Sequence, residues 1–269
     1  MPHAQAGRAP ERISFSNGSH ELVGWLWKPD GQGPFPVILD NHGSEKTPMP
    51  EPTGPPLPDE KSIADMFLAH GYMYFYPERR GHGNSHAAGP YIMDLVRQDR
   101  ARNGKDSGDA LMVRLLETDH VADVLAALRY LQSRPDVRDD QVVVMGSSFG
   151  GVLALLAAEH DGFVAAVDFA GGAMNWPHNT ALRTRMLAAA GHVKTPVLLI
   201  QAENDFDLGP TRELWAEMTR LGKTCKMHIY PPQGHTKRDG HRFITNGVAI
   251  WSEEVTEFIR AAVGPSKPQ

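Results

Sequence analysis

The stretch of sequence that decides the fold is Gln141–Gly162, which reads QVVVMGSSFGGVLALLAAEHDG. Its opening run of three valines and a methionine predicts a short buried strand. The residues from Gly151 onward are strong helix formers, and the pair Asp161-Gly162 predicts the end of that helix. Ser148 stands between the two elements, at the centre of a G-x-S-x-G pattern. A strand, a sharp turn with a serine at its apex and a helix are together typical of a nucleophile elbow.

The residue types around Ser148 suit this interpretation. A serine hydroxyl is a weak nucleophile unless it is exposed, held still and given a base. Gly146 and Gly150 leave room for a tight turn and for the helix to pack on the strand. The N-terminus of the helix would direct N–H groups toward the oxygen of an attacked carbonyl. The alternative is a Gly-rich connection in which Ser147 caps the helix.

The composition of the chain sets limits on its class. The 269 residues include 41% hydrophobic and 22% charged residues, as expected for one large α/β domain or two small ones. A net charge of −5 gives no reason to expect a nucleic acid or an anionic membrane as partner. The single cysteine, Cys225, excludes an internal disulfide and a Cys-based zinc site. Residues 1–10 lack the apolar core of a signal peptide, so we expect a cytoplasmic location.

The remaining sequence predicts an antiparallel start followed by alternating strands and helices. Two β-like runs, 11–15 and 21–27, flank the hairpin signal Asn17-Gly18. Further strands are predicted at 36–40, 72–76, 141–145, 164–169, 196–200 and 226–230, and helices at 61–70, 109–133, 151–160, 181–190, 211–221 and 244–262. This order predicts an α/β fold, a mostly parallel, doubly wound sheet of about eight strands with helices on both faces, in a single domain over 1–269.

Two segments interrupt the alternation. The Pro-rich segment 47–58 follows a strand and is interpreted as a surface loop that borders a site at the strand ends. The segment 85–108 is a long connection of mixed charge, which we interpret as an excursion over the sheet edge and not as a separate domain.

A catalytic triad requires an acid and a histidine after the serine, each beyond a later strand. Asp205 follows the strand predicted at 196–200, and His235 follows the one predicted at 226–230. Because parallel strands end at one edge of a sheet, we expect both side chains to lie near Ser148. Ser148 would then attack an acyl carbonyl, His235 would take and return the proton, and Asp205 would orient the imidazole.

Alternatives to two of these residues stay open. Glu203 and Asp207 are rivals of Asp205 for the acid, since all three lie in one acidic loop. The other histidines, His241 included, are predicted to be solvent or loop residues. A metal held by His235 and His241 would need a third ligand that the sequence does not supply, so no metal is predicted.

With these residues in place, the chain resembles α/β-hydrolases of the dienelactone hydrolase-like group over residues 11–263. The segment Asp40–Ser44, DNHGS, is similar to the His-Gly turn after the third strand of that family. The resemblance implies that the backbone N–H of Phe149 and one from Gly43 or Ser44 hold the oxyanion.

A second motif also carries the resemblance. The segment Glu78–Ser85, ERRGHGNS, is similar to the family's structural R-G-x-G-x-S turn after the fourth strand. Arg79 and Arg80 are accordingly interpreted as charges that stabilise the fold.

The resemblance implies a function, with one departure. Dienelactone hydrolases proper use a cysteine nucleophile, whereas the corresponding residue here is Ser148, which points to a serine esterase. We therefore expect a cofactor-free hydrolase that acts on small-molecule carboxylic esters with small to medium acyl groups. A small-peptide peptidase or an acyltransferase on the same fold is the alternative, although this chain has no room for the extra domain of prolyl-oligopeptidase-type peptidases. A non-catalytic binding protein is the contrasting hypothesis.

The substrate pocket is expected to be apolar and aromatic. Its predicted walls are His42 in the His-Gly turn, Tyr91 in the excursion, Trp176 after the sixth strand and Phe206 beside the acid. Core packing is the alternative role of Trp176 and Tyr91.

Overall fold

Eight strands form one sheet in the computed structural model, which describes residues 9–44 and 58–264. The strands are β1 Glu11–Asn17, β2 His20–Trp27, β3 Phe35–Asn41, β4 Met73–Pro77, β5 Val137–Ser147, β6 Ala165–Phe169, β7 Val197–Ala202 and β8 Cys225–Tyr230. Their order across the sheet is β1-β2-β4-β3-β5-β6-β7-β8. Each predicted strand is present, with bounds that differ by a few residues.

The strand directions bring several strand ends to one edge. β2 runs antiparallel to both β1 and β4, and all the remaining neighbours pair in parallel. At the carboxyl edge, Asn41 of β3 pairs with Gly146 of β5, and Ser147 pairs with Phe169 of β6. The predicted mostly parallel α/β sheet is therefore confirmed, and it follows the rule that sites in such sheets lie beyond the carboxyl ends of the strands.

Helices cover both faces of the sheet. They are α1 Pro58–Ala69, α2 Ile92–Asn103, α3 Lys105–Leu115, α4 Val121–Gln132, α5 Phe149–Ala157, α6 Thr180–His192, α7 Gly209–Arg220, α8 Lys237–His241, α9 Phe243–Asn246 and α10 Val248–Val263. No helix in the described part of the chain is long and apolar enough to cross a membrane.

The sheet separates two apolar cores. Ile38 of β3 packs with Phe67 of α1 and Trp251 of α10 on one face, and Leu39 packs in the other core, which includes Leu153 of α5. Successive residues of a strand point to opposite faces, and both faces of a parallel sheet are buried, so these strands are apolar throughout.

Three segments differ from the sequence prediction. The excursion 85–108 is largely helical, because a 3₁₀ helix at Gly83–Ala88, α2 and the start of α3 occupy it. The helix predicted at 109–133 consists of α3, a π-helical turn at Leu116–His120 and α4. The helix predicted at 244–262 is divided at Gly247. Of the Pro-rich segment, residues 47–57 lie outside the described residues.

Candidate active site

Ser148 lies in a strained turn between β5 and α5. Its φ of 56° and ψ of −113° are outside the regions that non-glycine residues usually adopt. The backbone N–H of Ser148 donates to the Phe169 carbonyl at 2.8 Å, which fixes the turn to the neighbouring strand. Backbone strain of this kind is common at functional sites and persists where the surrounding structure holds it. The turn thus has the conformation of the predicted nucleophile elbow.

The two glycines of the motif are required by close backbone approaches. A Cβ on Gly146 would lie 2.3 Å from the Gly150 carbonyl oxygen, and one on Gly150 would lie 1.7 Å from the Asn41 carbonyl oxygen. Neither contact is sterically possible, so α5 can approach β5 and β3 only with glycine at both positions.

His241 joins the serine to an acid. Its Nε2 lies 2.9 Å from Ser148 Oγ, and its Nδ1 lies 2.8 Å from Asp205 Oδ1. The Asp205 side chain is fully buried and also accepts hydrogen bonds from Gln201 Nε2 at 2.9 Å and from the Phe206 N–H. Because the carboxylate accepts from Nδ1–H, Nε2 is left to accept the serine proton.

The prediction that His235 is the base is wrong in this structure. His235 is exposed, and its backbone N–H donates to Asp239 Oδ2 at 3.0 Å. The chain continues through α8, whose last residue is His241. The sequence analysis chose the first histidine after β8, because catalytic residues are expected just beyond strand ends. Helix α8, however, carries the chain on toward the loop after β7 that holds Asp205. His241, which the sequence analysis assigned to solvent or a loop, therefore occupies the position beside Ser148.

The three acidic residues of the loop after β7 have separate roles. Asp205 contacts His241, whereas Asp207 Oδ1 accepts a hydrogen bond from the Gly209 N–H at the start of α7. Glu203 is exposed. Of the three candidates, only Asp205 is bonded to the histidine.

The turn after β3 lies against the elbow. A Cβ on Gly43 would lie 3.4 Å from the Ser147 carbonyl oxygen and 3.6 Å from Ser148 Cβ. Gly43, Ser44 and Phe149 all line the cavity above Ser148. The structure thus brings the three predicted oxyanion residues to the nucleophile.

Arg79 holds this turn in place. Its guanidinium donates to the His42 carbonyl and, at 2.8 Å, to the Gly43 carbonyl, and its Cζ lies 4.5 Å from the centre of the Phe149 ring. Arg79 therefore contacts both parts of the predicted oxyanion site. Arg80 instead pairs with Asp123 through two short hydrogen bonds, as expected for a charge that stabilises the fold.

His42 is held in its neutral form. Burial, together with the nearby Arg79 charge, lowers the pKa of His42 well below its usual range. Its Nε2 lies 3.1 Å from the Arg79 backbone N–H, which can only donate, so Nε2 accepts and Nδ1–H donates to the Gly43 carbonyl at 2.9 Å. His42 thus acts as a fixed brace of the turn and not as a second base.

A cavity of about 580 Å³ opens above Ser148 and His241. His42, Tyr91 and Phe206, three of the residues predicted as pocket walls, line this cavity. Trp176 does not line it: this side chain is buried in the core beside Gly172 and Gly209, which was the alternative role considered for it. In the part of the chain that the structure describes, no group of three or more His, Cys, Asp or Glu side chains is placed to hold a metal ion.

The sequence of this chain also matches a family model. The model of the dienelactone hydrolase family matches residues 49–243, which is more than half of the chain. The chain belongs to the dienelactone hydrolase family.

Solved structures share the fold of this dienelactone hydrolase family member. An acylaminoacyl peptidase of Pyrococcus horikoshii matches with a TM-score of 0.67 and 20% identity, over 99% of this chain and 43% of the peptidase. An esterase of Pyrococcus furiosus matches with a TM-score of 0.67 and 14% identity, over 98% of this chain and 96% of the esterase. At such low identity these likenesses show the fold alone.

A curated protein is also similar in sequence. The quorum-quenching protein AidA of Acinetobacter baumannii (strain MDR-ZJ06) is 24% identical over 160 residues, which is 60% of this chain and 43% of AidA. The chain spans less than half the length of AidA and of the acylaminoacyl peptidase.

Sequence reasoning missed several residues of this dienelactone hydrolase family member's site. His241 had a local signal: Thr236 and Asp239 form a capping box that begins α8 directly after His235. Met112 of α3 and Arg238 and Arg242 near His241 line the cavity and had no such signal, because their positions depend on how distant helices pack.

Proposed function

We propose that the protein is a serine hydrolase that cleaves carboxylic esters of small to medium acyl groups through an acyl-enzyme intermediate. The observation that carries this proposal is the bridge that His241 makes between Ser148 Oγ and Asp205 Oδ1, at the floor of a cavity large enough for a small molecule. Family membership supports hydrolysis as the reaction class.

The first half-reaction forms the acyl-enzyme. Ser148 Oγ attacks the ester carbonyl carbon while its proton passes to His241 Nε2. Asp205 stabilises the imidazolium that results. Collapse of the tetrahedral intermediate breaks the bond to the alcohol oxygen, which takes the proton from His241 and leaves as the free alcohol.

The second half-reaction repeats these steps with water. His241 takes a proton from water, whose oxygen attacks the acyl carbon. The bond to Ser148 Oγ then breaks, Ser148 regains a proton from His241, and the carboxylic acid leaves.

The negative charge on the carbonyl oxygen needs donors near the elbow. Phe149 is the first residue of α5, directly after the elbow serine, so its N–H is not used within the helix. A second donor would come from Gly43 or Ser44 in the turn that Arg79 braces. Donors fixed before the reaction stabilise this charge without reorganisation.

Amide hydrolysis and acyl transfer use the same groups and are the second candidates. The acylaminoacyl peptidases are more than twice as long as the segment that this chain matches, whereas the Pyrococcus furiosus esterase is matched over nearly its whole length. Both matches show the fold, and the choice between ester and amide substrates is left to the assay.

The test compares wild type with Ser148→Ala. Both proteins are assayed with p-nitrophenyl acetate and butyrate and treated with a fluorophosphonate probe, and labelled peptides are located by mass spectrometry. We expect stoichiometric labelling at Ser148 in wild type, and a fall in kcat/KM of about 10³-fold or more in the variant. A folded wild type that neither turns over nor becomes labelled would refute the proposal.

A further inference from the structure

A small recess leaves the main cavity at Ser148. Its volume is about 30 Å³, and its walls include Ser44, Ser148 and Phe149 at the opening. The main cavity reaches His241, Arg238 and Arg242, but no residue of α8 or α9 lines the recess. The recess thus shares the nucleophile with the main cavity and extends away from the histidine.

Most of the recess wall is buried and apolar, although the exposed Met174 and the polar Asn175 also line it. Met112, Val152 and Leu182 are each 2% exposed, and Leu116 is 1% exposed. These side chains come from α3, α5, α6 and the π-helical turn, so four elements fix its shape. No charged residue in the described part of the chain lines it. The buried part of this wall fits an alkyl group and resists added volume, because it belongs to the close-packed interior.

The positions of the reacting groups indicate which part of the ester lies in the main cavity and which lies in the recess. Around the attacked carbon, the oxyanion points to the N–H groups near Phe149, and the leaving oxygen must lie within hydrogen-bond reach of His241 Nε2, since it takes its proton there. The alcohol therefore extends into the main cavity, on the side of His241. The remaining substituent, the acyl chain, faces away from His241, where the recess lies.

We propose that the recess is the acyl subsite and limits substrates to acetyl, propionyl and butyryl esters of larger alcohols; this rests on the function proposed above. At roughly 10–15 Å³ for each water-sized group, a recess of about 30 Å³ accepts two or three such groups. The alcohol has the main cavity of about 580 Å³. The enzyme should therefore accept only short acyl chains but alcohols of many sizes.

The experiment varies the two sides separately. One series keeps p-nitrophenol and changes the acyl group from acetyl to butyryl, hexanoyl and octanoyl; the other keeps acetate and changes the alcohol from methyl to butyl and naphthyl. Active sites are counted with the fluorophosphonate probe. We expect kcat/KM to fall at least about ten-fold from butyryl to hexanoyl, and to vary less across the alcohols.

Variants of the wall test the assignment directly. Leu182→Ala enlarges the recess and should raise the ratio of hexanoate to acetate hydrolysis about ten-fold or more. Val152→Leu fills it and should lower butyrate relative to acetate hydrolysis by a similar factor. Leu214→Ala, a fully buried leucine of α7 that lines neither space, is the matched control and should leave both ratios unchanged.

The outcomes separate this inference from the proposed function. Labelling and turnover with a flat acyl profile, or strict selection of the alcohol with free choice of acyl chain, would overturn the acyl subsite alone. Absence of labelling and turnover in a folded wild type would overturn both. If Leu182→Ala does not fold, Val152→Leu still tests whether the recess is the acyl subsite, through the expected fall in butyrate relative to acetate hydrolysis.

Discussion

His241 owes its place beside Ser148 to the five residues that separate it from His235. After β8 the chain turns at Gly234, and α8 then runs against the acid loop, where a Cβ on Gly240 would lie 2.5 Å from Asn204 Oδ1. The close approach of these two loops brings the imidazole between Ser148 and Asp205. Both histidines follow β8, so the base is identified by the contacts that His241 makes with Ser148 and Asp205.

The two histidines make a matched pair of variants. We expect His241→Ala to reduce kcat/KM on p-nitrophenyl acetate by about 10³-fold or more, because Ser148 then has no base. His235→Ala removes an exposed imidazole and should stay within about two-fold of wild type. Loss of activity in His235→Ala with retained activity in His241→Ala would reverse the assignment.

Arg79 is expected to act as a positioning residue. Its two N–H groups hold the carbonyls of His42 and Gly43, so Arg79→Lys keeps the charge but loses the fork that fixes the turn. We expect kcat to fall roughly 10- to 100-fold with little change in KM, because the oxyanion donors act in the transition state. Steady-state kinetics on one ester measures both constants.

The control for Arg79 is its neighbour. Arg80 pairs with Asp123, away from the cavity lining, so Arg80→Lys should lower the melting temperature without changing kcat of the folded enzyme. Equal losses of kcat in the two variants would mean that Arg79 contributes only to the fold.

At the scale of elements, the strands and helices that could be predicted are those whose local sequence pattern determines their structure. The strands before Ser148 and Asp205 are continuous apolar runs, so their ends, and with them these two residues, could be placed from the sequence. Helix α2 could not be predicted in this way, because it is strongly polar and its buried residues are Ile92 and Val96. The 2.5 Å ion pair between Arg100 and Asp109 ties it to α3, and that contact depends on the fold around it.

The start of α8 controls where His241 lies. Thr236 Oγ1 accepts from the Asp239 N–H at 3.1 Å, which caps this short helix. We expect Thr236→Ala to loosen α8 and to lower kcat roughly 2- to 10-fold, since loss of a cap costs about 1 kcal/mol locally. Thr236→Ser keeps the oxygen and should retain wild-type kcat. Equal activity of the alanine and serine variants, in the same assay, would show that the cap does not position His241.

At the scale of the whole molecule, the sheet buries one carboxyl group beneath the elbow. Asp168 of β6 is 3% exposed, and its Oδ1 accepts from the Gly171 N–H at 2.7 Å. Burial raises the pKa of Asp168 from 3.8 to about 7, and the hydrogen bond from Gly171 opposes this only in part. Between these pH values the folded protein binds this proton and the unfolded chain does not. This group therefore makes the folded state less stable as the pH rises from about 4 to about 7.

Asp168→Asn removes this titration while leaving an oxygen to accept from Gly171. We expect the free energy of unfolding of the variant, minus that of wild type, to increase from about pH 4 to about pH 7 and then to level off. The total increase should be about 4 kcal/mol, since the pKa rises by about three units and each unit corresponds to about 1.4 kcal/mol. Urea unfolding at a series of pH values measures it. A difference that does not change with pH would mean that Asp168 is ionised at the base of the elbow throughout this range.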